Sequence, residues 1–169
     1  MCKSKLVPIL ILFAVIDCVF LFQPLFCGKT PVPGDYLKQM RPWATDHTPQ
    51  RWNVLMADGV LQFYNWRHFY ADCIKKGEMP LYNPYEFSGT PFVGTGQSAI
   101  YYPLNLLLPL FGADRGLGIL CFLHLYIAQV FTLLLLIKYG AKTLSAALGA
   151  IAYSLSGFMV CWLELPTLI

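Results

Sequence analysis

With 169 residues, 57% of them hydrophobic and only 12% charged, the chain carries about half the charge of an ordinary globular domain, which averages about 25%. A mean hydropathy of +0.55 and several long apolar runs argue for a mainly α, polytopic transmembrane protein. A net charge of +3 without any Lys/Arg run excludes nucleic acid as a partner, and His47, His68 and His124 stand too far apart for metal-ligand spacing.

Residues 6–27 are apolar except for Asp17 and Gln23, long enough for a first span. Lys3 and Lys5 precede it and set its N-terminus in the cytoplasm. A cleaved signal peptide is disfavoured, because Pro24-Leu25-Phe26-Cys27 lacks the small residues that cleavage needs.

Residues 28–115 then form a large extracytoplasmic loop. Pro31-Val32-Pro33-Gly34 is a turn-rich exit, so Asp35 stands close to the membrane surface. Two readings of Asp35 are open: a catalytic or metal-binding acid, or the N-cap of a short helix. Residues 57–76 contain no Pro, and their only Gly, Gly59, falls in the first turn, so an amphipathic helix suited to lying on the bilayer is expected. Val60, Phe63, Arg67, Tyr70 and Ile74 share one face; Asp58, Gln62, Asn65, Phe69 and Asp72 share the other. Asp58 can cap that helix or, four residues before Gln62, meet a reactant together with it. Arg67 on the apolar side would reach headgroups or hold a lipid phosphate.

Gly77 ends the helix, and a Pro- and Gly-rich run follows through Met79-Pro80, Asn83-Pro84, Gly89-Thr90-Pro91 and Gly94-Thr95-Gly96. Such a run cannot bury a core of its own and must lie on something. Asn83, Gln97 and Asn105 offer neutral hydrogen-bonding groups, and Trp66, Tyr82, Tyr85 and Phe87 offer flat stacking surfaces. The combination suits a sugar; on composition alone an interfacial aromatic belt, in which Trp and Tyr only anchor the loop, explains the aromatics slightly better. Residues 101–111, apolar but too short to span, suit an interfacial or re-entrant segment.

A second span is expected at 116–139 and a third at 143–165, joined by a short turn carrying Lys138 and Lys142 on the cytoplasmic side. Small residues from Ala146 to Gly157 fit the third span for close helix packing. The chain stops at Ile169 directly after this span, and that small-residue face has no evident partner; the expectation is a fragment of a longer polytopic protein. Cys18, Cys121 and Cys161 fall in spans as small apolar fillers. Cys27 and Cys73 share the outer loop, and whether they pair is left open.

The loop resembles the YfhO family of bacterial polytopic membrane proteins, which are similar to GT-C glycosyltransferases. The resemblance rests on Asp58 with Leu61-Gln62-Phe63-Tyr64 and Trp66-Arg67, on Gly77-Glu78-Met79-Pro80-Leu81, Asn83-Pro84-Tyr85, Gly89-Thr90-Pro91, Gln97-Ser98-Ala99 and Tyr102-Pro103 through Asn105, and on Ser156-Gly157-Phe158 with Trp162-Leu163-Glu164. Tyr82 departs from the family's usual Trp, and Asn65 stands where Pro is expected.

The resemblance implies sugar transfer from a polyprenyl-phosphate donor to an envelope polymer or protein acceptor, at the outer face of a bacterial cytoplasmic membrane. It implies Asp58 as general base, Asp35 as second or partner acid, and Arg67 as ligand of the lipid phosphate, with Gln62, Trp66, Asn83 and Gln97 around the substrate. A divalent metal shared by Asp35 and Asp58 is compatible with it. Three spans cannot enclose the donor cavity that such enzymes form among many spans, so activity is expected of a longer protein and not of these 169 residues alone. The alternative is a non-enzymatic three-span membrane protein, a remnant or scaffold. A transporter fits less well, because transporter sites lie at the bilayer midplane, whereas the polar residues here cluster in the loop.

Overall fold

The computed structural model describes residues 6–44 and 56–163, and the chain so described is mainly helical. The first apolar run forms α1 (Leu6–Phe20), breaks at Leu21 and resumes as α2 (Phe22–Phe26). Pro24 explains the break: it has no N–H for the Phe20 carbonyl, and its ring crowds that oxygen. A short 3-10 helix follows at Gly34–Gln39.

The loop helix is already helical at Ala57 and Asp58, passes through a π-turn (Gly59–Phe63) and continues as α3 (Tyr64–Lys75). Gly77, at φ +75°, closes it in the left-handed conformation that favours glycine. The chain then forms a two-stranded antiparallel ribbon, β1 (Tyr82–Asn83) on β2 (Thr90–Pro91), with Tyr82 opposite Pro91 and Asn83 opposite Thr90. A 3-10 turn (Pro103–Leu106) leads into α4 (Leu107–Phe111). The long helix α5 (Ala113–Lys138), the broken pair α6 (Thr143–Ser154) and α7 (Gly157–Trp162) complete the described chain.

Of the face expected for 57–76, Val60, Phe63, Arg67 and Tyr70 are interior and Ile74 is partly buried; Trp66 and Ala71 beside them are interior as well. That face packs on the protein's own core. Phe63, Trp66 and Tyr70 join Phe92, Leu108, Leu117 and Leu120 in a core between α3, α4 and the start of α5. Within residues 101–111, α4 folds back on α5, and Leu108 is wholly buried. Gly116 permits that approach, because a Cβ there would lie 2.8 Å from the Leu108 side chain and 3.0 Å from its Cα.

Two further apolar clusters join the hydrophobic helices. Phe13, Leu133, Ala146, Ala147 and Ala150 pack α1, α5 and α6 together. Leu21, Cys121, Leu125 and Leu163 form the other. The small residues of α6 therefore meet α5 and α1. Among the described residues, only α5, at 26 residues and with a mean hydropathy of 2.3 over its most apolar window, is long and apolar enough to cross a membrane. The other two apolar runs are divided, at Leu21 and at Leu155–Ser156.

Candidate functional site

Asp58 stands exposed immediately before the π-turn, and its carboxylate makes no cap hydrogen bond. The helix-capping reading is therefore not realised. π-turns inside helices recur at functional sites, and this one changes the register assumed for a regular helix: the Tyr64 N–H bonds the Gly59 carbonyl five residues back. Gln62, within the turn, is half-buried. Asp35 lies in the first turn of the 3-10 helix and pairs with Lys38 at 3.0 Å. That short helix packs against the π-turn, so the segments carrying the two acids are neighbours.

Arg67 and Trp66 are placed differently from their expected roles. Arg67 is 2% exposed, and its Nη1 donates to the Ser98 carbonyl at 2.8 Å. Burial pushes the guanidinium down to about 10, with a smaller opposing influence from Tyr70. A side chain so enclosed ties the 93–105 segment to α3. Trp66 is 4% exposed, donates Nε1–H to both Glu86 carboxylate oxygens at 2.8 and 2.9 Å, and meets Phe63 and Phe92 edge-on. Its ring faces are enclosed by the core and offer no platform for a sugar.

The polar flank of the helix opens on a cleft of about 390 Å³, lined by Asn65, Phe69, Asp72 and Lys76 and by Asn83 and Tyr85 of the ribbon loop. Asn83 is itself buried, and its Oδ1 accepts the Tyr85 N–H at 3.0 Å, an Asx-turn that sets the loop. The expected grouping of amides and aromatics is thus present in part. Asp58, Gln62 and Gln97 do not line this cleft, and Gln97 is exposed on its own turn. Tyr85 and Phe87 stand almost fully exposed, Phe87 with a positive φ of 51°.

A second polar cluster was not visible in the sequence. Asp114, in the first turn of α5, accepts hydrogen bonds at Oδ1 from Tyr64 Oη at 2.8 Å and Thr30 Oγ1 at 3.1 Å, and His68 Nε2 lies 3.3 Å away. Burial first, then Asp114, pushes the Tyr64 phenol up to about 12, so it remains a donor at neutral pH. The only local signal was Tyr64 and His68 four apart on one helix; their partners lie 46 or more positions away in sequence. Thr30 also lines a groove of about 510 Å³, bounded by Phe20, Phe22 and Pro24 on one side and Val160 and Leu163 on the other. Lys29 stands on its rim and donates from Nζ to Gln23 Oε1 at 3.1 Å.

The Tyr102 and Asn105 motif serves the fold. His124 Nδ1 bonds the Leu120 carbonyl at 2.7 Å, so that nitrogen carries the proton and Nε2 accepts from the Tyr102 hydroxyl. Asn105 Nδ2 donates to the Ala99 carbonyl at 2.7 Å. Cys27 and Cys73 are both free thiols. Among the described residues, no group of three or more His, Cys, Asp or Glu forms that could hold a metal ion. Comparison with protein-family models, with characterised proteins and with solved structures finds nothing that matches this chain.

Proposed function

We propose that the chain is the N-terminal part of a membrane glycosyltransferase that moves a sugar from a polyprenyl-phosphate donor to an acceptor outside a bacterial cytoplasmic membrane. Three spans carry it, α1 with α2, α5, and α6 with α7, with the N-terminus in the cytoplasm and residues 28–115 outside. Only 28% of the most apolar window of α5 is buried, so packing inside a soluble core does not account for that helix. Val7, Ile11, Val15 and Val19 on α1, Phe131 and Leu135 on α5, and Leu144 and Leu148 on α6 are also exposed. An apolar exterior of this extent suits lipid.

The observation that carries the reading is Asp58: an exposed carboxylate without a capping bond, at the head of a π-turn whose other side is anchored in a core. In the proposed reaction Asp58 takes the proton of the acceptor hydroxyl. The oxygen forms a bond to the sugar's anomeric carbon, the bond from that carbon to the phosphate oxygen breaks, and polyprenyl phosphate leaves. Asp35 is the companion acid, and a divalent metal between the two is compatible with their neighbouring segments. With Arg67 enclosed, the cation for the lipid phosphate is Lys29, on the rim of an apolar groove that suits the prenyl chain.

The test uses membranes containing the protein and a panel of labelled polyprenyl-phosphate sugars, with release of polyprenyl phosphate as readout. Wild-type turnover and a loss of about 100-fold or more in Asp58→Asn, with equal membrane insertion, are expected. No turnover of any donor removes the enzymatic reading, and full turnover in the variant removes Asp58 as base.

A further inference from the structure

Asp17, Gln129 and Ser154 are each fully buried, at 0% exposure, where α1, α5 and α6 meet. Gln129 Nε2 uses both hydrogens: one to Asp17 Oδ1 at 2.9 Å, the other to Ser154 Oγ at 3.0 Å. The Ser154 hydroxyl donates in turn to the Ile151 carbonyl at 3.2 Å. Two acceptors are left over, Asp17 Oδ2 and Gln129 Oε1, neither with a partner. The apolar clusters on either side contain Phe13 and Leu133 in one direction and Leu21 and Leu125 in the other.

We propose that Asp17 is a proton-binding site that holds its proton at neutral pH and joins these three helices as a neutral acid. The argument is one of matching. With an ionised carboxylate, the junction holds two orphan acceptors and one uncompensated charge, a costly arrangement in an apolar interior. One proton on Oδ2 removes the charge and turns that oxygen into a donor, which Gln129 Oε1 can accept directly or through one water. A bare metal cation is a poorer answer, because hard cations take six or more oxygen ligands and the side chains of this junction leave two unpartnered oxygens, Asp17 Oδ2 and Gln129 Oε1.

No Lys or Arg lies on α1, on α6, or on α5 between residues 116 and 137 to neutralise the carboxylate instead. Asp114, Arg115 and Lys138 stand at the two ends of α5; the other titratable side chains on these helices besides Asp17 are Cys18, Cys121, His124, Tyr126 and Tyr153, of which Tyr126 packs against the Phe13 cluster and Cys121 belongs to the Leu21 cluster. The inference does not depend on sugar transfer.

Infrared spectroscopy of the full chain in lipid nanodiscs, with 13C-labelled Asp, tests it. The wild type is expected to show a protonated-carboxyl band at pH 7 that shifts in D2O and is lost in Asp17→Asn. Asp17→Asn, whose amide supplies a donor where the acid O–H was, is expected to keep the wild-type melting temperature, while Asp17→Ala melts lower. A carboxylate band alone in the wild type overturns the proposal, as does stabilisation by sodium that Asp17→Asn abolishes. Should Asp17→Asn not insert, Gln129→Leu serves: the acid band is expected to move to the frequency of an unbonded carboxyl, and an unmoved band overturns the pairing.

Discussion

Arg67 and Asn105 hold adjacent backbone carbonyls, Ser98 and Ala99, through a guanidinium N–H at 2.8 Å and a side-chain amide N–H at 2.7 Å. Ala99 sits at a positive φ of 51°, which an L residue adopts only under constraint, and the two side chains supply it. Arg67→Met is expected to lose about 2 kcal/mol or more, read in thermal melts, because it strips a charged donor from a buried carbonyl. Lys in its place should recover only part, since one ammonium cannot reproduce the planar fork. Tyr64 makes a second prediction. Burial and Asp114 push its hydroxyl up to about 12, above a phenol's ordinary 10.0, so stability that depends on the neutral phenol is intact below pH 10 and lost as pH rises toward 12. Tyr64→Phe should flatten alkaline unfolding across that window, and an unchanged curve would show that the Asp114 contact contributes nothing.

At the scale of elements, close approaches are set by glycines on α5. A Cβ on Gly118 would stand 3.1 Å from both the Pro24 Cβ and its carbonyl oxygen, and Gly116 is as tight against Leu108. Gly118→Val should therefore separate α2 from α5 at a cost of about 1–3 kcal/mol, measured as a lower melting temperature at unchanged helix content. The faces of the loop helix were legible in its spacing, because Val60, Phe63, Arg67 and Tyr70 fall on one side whatever they pack against. What they pack against was not. Periodicity cannot tell a face turned to lipid from one turned to Leu117 and Leu120, and so Arg67 looked like a headgroup ligand. The Pro24 break was encoded locally, yet hydropathy over 6–27 averages across it. The Asp114 cluster joins residues from three segments by contacts across 46, 50 and 84 positions, which no local pattern reports. Asn65 shows the reverse case: standing where the resembled family has Pro, it donates Nδ2–H to the Leu61 carbonyl at 2.7 Å, the oxygen a proline would leave without its backbone donor.

For the whole molecule, the proposed orientation makes Cys27 and Cys73 reporters of one side. Cys27 is exposed and Cys73 half-buried, its thiol pushed up by burial and by Glu78. A membrane-impermeant maleimide added to intact cells should modify Cys27 quickly and Cys73 slowly, with the Cys73 rate climbing as pH rises. Protection of both until the cells are opened would reverse the assigned sidedness. The junction of Asp17 with Gln129 and Ser154 also bears on biosynthesis. Gln129 is 112 positions downstream of Asp17, and Ser154 another 25 beyond. At ordinary elongation rates the nascent chain carries the acid for roughly ten seconds before its first amide partner is made. The ribosome thus delivers α1 in an unfinished state, and a translation product halted at the turn after α5 would hold the acid by Gln129 alone, without the hydroxyl that brings α6 into the junction.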